Sequence, residues 1–134
     1  MAVTRTHPPQ MRSPLARAIG LGSAKEGVEH WWRQRTTALL LVPLTVWLVV
    51  MVIALAGADR AALVAWMHNP MAAIGMILLI ATTFYHTVLG LQVVIEDYVH
   101  SEGWKLAMLV AMRLLCLLFV LRGVLAVLQL AFAA

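Results

Sequence analysis

Charged residues crowd the start of this chain and then stop: after Arg35, the stretch from Thr36 to Ala58 runs 23 residues without a formal charge. Another uncharged stretch reaches from Ala61 to Ile95, of which Met71 to Ile95 alone is 25 residues. A third, Leu106 to Ala134, is as apolar but carries Arg113 and Arg122. About 20 apolar residues cross a hydrocarbon core of roughly 30 Å, and lipid offers the backbone amides of a span no partner outside their own helix. The pattern predicts an all-α membrane protein with three transmembrane helices, at about 34–58, 70–97 and 104–132. Local residues punctuate these spans. Asn69-Pro70 opens the second, Ser101-Glu102-Gly103 breaks the chain before the third, and Pro43 falls early in the first, where a kink is tolerable. Trp31, Trp32, Trp66 and Trp104 fall at the expected boundaries, where indoles suit the membrane interface.

Composition agrees, since 63% hydrophobic and 12% charged residues in a 134-residue chain is too apolar for a soluble core. The net charge of +4 would admit nucleic acid as a partner, but Arg5, Arg12, Arg17, Lys25, Arg33 and Arg35 all precede the first span. A positive flank of that kind stays in the cytoplasm and meets membrane lipid, not nucleic acid. It places the N-terminus inside, the Asp59–Pro70 loop outside, the Glu96–Lys105 loop inside and the C-terminus outside. Residues 1–26, with Pro8, Pro9, Pro14 and no sustained hydrophobic period, form an expected extended or mobile segment ahead of a three-helix anchor over 27–134. The first 24 residues are free of acids and hold three Arg, as organelle transit peptides do, yet their shortness favours a bacterial inner membrane over a mitochondrial one. A lone Cys116 excludes an intramolecular disulfide and a cysteine metal cage. Phosphate-binding glycine loops, HExxH and Ser-His-Asp arrangements are missing as well, so the common soluble chemistries have no footing.

One polar residue in the second span demands an explanation. His86 lies near the middle of the uncharged stretch from Ala61 to Ile95, where an imidazole is costly unless partnered. At 100° per residue, Gly75, Leu79, Gly90, Val93 and Asp97 fall within about 40° of it, with Thr82 and Thr83 at the flanks. This small, polar face suits a neighbouring helix or a flat cofactor better than acyl chains. Asp97 is about 16 Å further along on nearly the same side, which stacks an interfacial site over a membrane one. A neutral imidazole can ligate haem iron without carrying charge into lipid. Asp97 and Tyr98 offer a carboxylate and a phenol for hydrogen bonding and proton delivery to a quinone carbonyl. The residues alone leave two plainer readings open: a helix-to-helix hydrogen bond for His86 and ordinary interface polarity for Asp97-Tyr98. With one intramembrane His available, bis-histidine haem would take its second ligand from another subunit.

The spacing of His86, ten residues, then Asp97-Tyr98 resembles that of the small cytochrome b anchor, the hydrophobic membrane anchor or D subunit, of succinate dehydrogenase. The run from Gly22 to Ala38, which contains His30-Trp31-Trp32-Arg33-Gln34-Arg35, is similar to the segment that leads into that family's first helix. The resemblance implies a four-subunit succinate:ubiquinone oxidoreductase that serves the tricarboxylic acid cycle and aerobic electron transport. In it, a flavoprotein oxidises succinate and an iron-sulfur protein passes electrons to ubiquinone. This chain would pack with a second cytochrome b anchor around haem b and hold no succinate-oxidising chemistry itself. His86 would be one axial ligand of the haem iron, with a His of the second anchor as the other. Arg35 and His30 would lie near the propionates, and Tyr98, supported by Asp97, would hydrogen-bond the quinone. The alternative is a haem-free structural subunit of a related respiratory complex. A transporter subunit would need a polar stripe through the bilayer, and the first span offers little beyond Thr45. Arg113 and Arg122 point in nearly opposite directions from the third span, and at least one is expected to meet the second anchor or a lipid headgroup.

Overall fold

A computed structural model describes Leu15 and residues 26–133. Residues 26–133 form four helices, α1 (Glu26–Ala54), α2 (Arg60–Met67), α3 (Pro70–Tyr98) and α4 (Glu102–Ala131), and the described residues contain no strand. Three of them, all but α2, are long and apolar enough to cross a membrane. The expected extended segment, residues 1–26, lies outside the described residues except for Leu15 and the first residue of α1.

Two spans begin and end within two residues of their expected bounds. Asn69 caps α3 by accepting a hydrogen bond from the Met71 amide at 2.9 Å, and Pro70 follows at the first helical position, where it lacks only an amide that the helix leaves unpaired. The first span differs. α1 starts at Glu26, eight residues before the expected 34, and runs as regular helix through the charged, tryptophan-rich flank, where the Glu29–Arg33 ion pair bridges one turn and adds a small stabilisation. It also stops at Ala54, short of 58, and Gly57 then turns the chain in the left-handed region at φ 82°. The expected outer loop contains a helix of its own. Asp59 accepts from the Ala62 amide at 2.8 Å and nucleates the eight residues of α2.

α3 is the central layer, packed against α4 on one side and α1 on the other, while α1 and α4 do not approach each other among the described residues. On the α4 side, Ile95, Met112 and Cys116 are buried with Phe84, Val88, Val99 and Leu109 around them, and the Phe84 and Phe119 rings stack at 5.8 Å. Arg113 and Arg122 are both exposed, and Arg113 reaches across this interface to donate to Gln92 Oε1 at 3.1 Å, so it is partnered within the chain. No large side chain among the described residues is fully buried, and Leu39, Val46 and Ile53 of α1 and Leu114, Leu118 and Leu121 of α4 are exposed. An apolar surface of this extent needs lipid or another subunit against it.

α1 and α3 pack tightly at Gly75, where an added Cβ would lie 2.8 Å from the Trp47 ring. Trp47 in turn packs on Trp66 of α2, with ring centroids 5.8 Å apart. Gly75→Ala is therefore expected to push Trp47 aside and destabilise the packing by about 1–3 kcal/mol, the usual penalty of overfilling. The check is thermal unfolding of the detergent-solubilised protein. An unchanged midpoint would show that the indole yields freely.

Candidate functional site

The α1–α3 interface turns polar toward the N-terminal end of α1, where His86 of α3 meets Gln34 and Thr37 of α1. His86 Nδ1 is 2.8 Å from Thr37 Oγ1, and His86 Nε2 is 3.3 Å from Gln34 Nε2. The threonine bears on the tautomer. Its hydroxyl lies 2.9 Å from the Arg33 carbonyl and 3.0 Å from the Gln34 carbonyl, two acceptors that compete with Nδ1 for its single proton; with the proton on either carbonyl, its lone pair can receive an Nδ1–H from His86. In that tautomer Nε2 carries the lone pair, and the Gln34 amide can donate to it.

Helical geometry explains the meeting. His30, Gln34 and Thr37 recur at four- and three-residue intervals and form one stripe on α1. Gly90, one turn from His86, lies against that stripe: a Cβ there would sit 3.5 Å from Gln34 Nε2, in ordinary van der Waals contact. Two buried polar atoms remain without a partner in the same stripe, His30 Nε2 and Gln34 Oε1. Native interiors seldom leave such atoms unpaired unless a water, ion or ligand serves them.

Two hollows flank the stripe. An open groove of about 460 Å³ is lined by Ala38, Leu41, Val42, Thr45, Val46 and His86. Arg35, exposed and stacked at 5.5 Å over the Trp31 ring, points away from the stripe but lies three residues before Ala38 and seven before Val42, on the groove's α1 flank. The other hollow, about 350 Å³, is more polar and is lined by Gly27, His30, Gln92, Val93 and Glu96. Here Gln92 donates to Glu96 at 2.8 Å, which extends the link from Arg113. Asp97 and Tyr98 end α3 beside the start of α1, both exposed, Tyr98 by 78%. At 1.5 Å per residue they are about 16 Å along the helix from His86, so the chain by itself does not join them to it.

The structure thus unites His86 with His30's stripe, sets Arg35 on the groove flank and leaves Asp97 and Tyr98 apart at the helix end. His86 is the seventeenth of the 29 residues of α3, near the middle of that helix, and it pairs with Gln34 and Thr37, on either side of Arg35 in α1. Gln34 and Thr37 were not anticipated as its partners. A clue existed, namely two polar residues three apart at the mouth of the first span, opposite a span whose imidazole required a partner.

A model of the succinate dehydrogenase/fumarate reductase transmembrane subunit family matches residues 9–120. The chain belongs to this family. Among its relatives, the succinate dehydrogenase hydrophobic membrane anchor subunit of Rickettsia bellii (strain RML369-C) is 33% identical over 116 residues, covering 87% of this chain and 93% of the relative. The protein of the same name from Paracoccus denitrificans is 30% identical over 97 residues, covering 72% and 75%. The succinate dehydrogenase membrane anchor subunit of Reclinomonas americana is 30% identical over 96 residues, covering 69% and 80%. Three apolar helices are what a family of transmembrane subunits requires, and the described residues of this member hold no cluster of three metal-binding side chains.

Proposed function

We propose that this chain is the small membrane anchor of a succinate:ubiquinone oxidoreductase in the bacterial inner membrane, with its N-terminus in the cytoplasm. Its partners are a second cytochrome b anchor, an iron-sulfur subunit and a flavoprotein subunit. Succinate is oxidised on the flavoprotein, and this chain contributes to haem b and to the ubiquinone-reduction site. The observation that carries the reading is the placement of His86: an imidazole whose Nδ1 meets Thr37 and whose Nε2 meets only the Gln34 side-chain amide, on a residue that lines an apolar groove. Imidazole nitrogen is the donor a low-spin haem iron takes from histidine.

The surrounding residues fit the group. The groove wall is aliphatic apart from Thr45 and His86, as a porphyrin face needs, and Gln34 Oε1 and His30 Nε2 are buried polar atoms lacking partners nearby. His86 would hold the iron, while Arg35 and His30 would pair with the propionates at the cytoplasmic end, a guanidinium being well matched to a carboxylate there. When bound, haem supplies a one-electron store next to the quinone. Tyr98 Oη donates a hydrogen bond to a quinone carbonyl, and the Asp97 carboxylate accepts one and orients the site. Both are exposed on this chain, which leaves them free to face the iron-sulfur subunit and the second anchor.

One contact favours the haem-free structural reading. Gln34 already occupies the coordinating side of His86, and two helices joined by that bond need no cofactor. For iron to bind, Gln34 must swing off Nε2. The readings part in a reduced-minus-oxidised spectrum of the complex purified in mild detergent with its flavoprotein and iron-sulfur subunits. A b-type band is expected; a complete, active complex without one would establish the haem-free subunit.

A further inference from the structure

Gln34 and Thr37 treat the two nitrogens of His86 differently, and that asymmetry has consequences for the ligand. Thr37 is buried, 8% exposed, and its one hydroxyl proton has the Arg33 and Gln34 carbonyls as acceptors, which frees its lone pair for an Nδ1–H of His86 at 2.8 Å. The Gln34 contact is longer, 3.3 Å, and its amide can rotate or withdraw, with its own Oε1 unpartnered. One partner is fixed by the helix backbone and the other is replaceable.

We infer that Thr37 is the positioning residue of the axial ligand: it holds His86 as the Nδ1–H tautomer, aims Nε2 at the iron and sets the electron density that this nitrogen donates. The inference rests on the haem reading above. A hydrogen bond from Nδ1–H makes the imidazole a stronger donor, and a stronger donor favours the ferric over the ferrous haem. Without it, the ring is free to take the other tautomer, which turns a proton instead of a lone pair toward the groove. Haem that remains then meets a weaker ligand and is easier to reduce.

Thr37→Val removes the hydroxyl and keeps the branched shape, whereas Thr37→Ser keeps the hydroxyl. In the purified complex, Thr37→Val is expected to lower haem b content and to raise the midpoint potential of the haem that remains. Its ferric low-spin EPR signal should shift as the ring plane is released. Thr37→Ser is expected to restore content, potential and signal to the unsubstituted values. A Thr37→Val complex with full haem, an unchanged potential and an unchanged EPR signal overturns the inference and leaves His86 ligation standing. If Thr37→Val does not assemble, Thr37→Ser decides: a shifted potential with the hydroxyl retained also overturns it. An unsubstituted complex that contains no haem removes the haem reading and this inference together.

Discussion

Replacing His86 with leucine is expected to abolish the low-spin b-type spectrum of the assembled complex, or to leave a residual haem held by the second anchor alone with a shifted band. Leucine fills a similar volume but offers iron no lone pair, and one axial ligand cannot hold the low-spin state. The substitution also has a local cost. It leaves the Gln34 amide, part-buried at this interface, without its acceptor, which typically costs about 1–3 kcal/mol. Thr37 loses less, since its hydroxyl keeps the carbonyls of Arg33 and Gln34 as acceptors. The complex should nevertheless assemble, because α3 remains packed on α4 through Ile95, Met112 and Cys116, none of which touches the histidine's face. Haem content per flavin and the reduced spectrum read the outcome. Full occupancy with an unaltered band would place the iron elsewhere.

The second large effect belongs to Tyr98→Phe. Loss of the phenolic donor is expected to slow succinate-driven ubiquinone reduction about tenfold, equivalent to about 1.4 kcal/mol in the barrier. Succinate oxidation by an artificial acceptor should be unchanged, since the proposed function places the flavin chemistry on another subunit. Exposure makes this substitution clean: Tyr98 is 78% exposed and caps no other element, so phenylalanine disturbs no packing within the chain. Equal losses in the two assays would mean that the complex had been damaged instead of its quinone site.

How far the residues alone could be read depended on whether a feature lies within one helix or between two. The long gaps between charges gave the three spans, and Asn69-Pro70 opened α3 at the expected place because cap and proline act within a single turn. α2 was hidden, since eight residues between Asp59 and His68 look like a loop until the Asp59 cap is seen to close on Ala62. The early start of α1 was missed for a related reason: Trp31, Trp32 and the arginines suit an interface in any conformation, and only the Glu29–Arg33 pair reveals the helix beneath them.

The polar face of α3 was legible from a 100° repeat, but not the residues opposite it. Which turn of α1 lies against His86 depends on the vertical register of two antiparallel helices. That register follows from close packing such as Trp47 on Gly75, which no single-helix periodicity contains. The same applies to Arg113, whose link to Gln92 spans α4 and α3. Family membership reaches further than geometry here, because the groove beside His86 is open on the outer surface of the chain.

The most direct measurement is an experimental structure of the assembled complex at a resolution that shows the ring of His86. The account predicts His86 Nε2 within bonding distance of a haem iron, Gln34 withdrawn from that nitrogen, Thr37 still at Nδ1, and a histidine of the second anchor on the opposite face. A complete complex in which Gln34 still holds Nε2 and no porphyrin lies in the groove would contradict it.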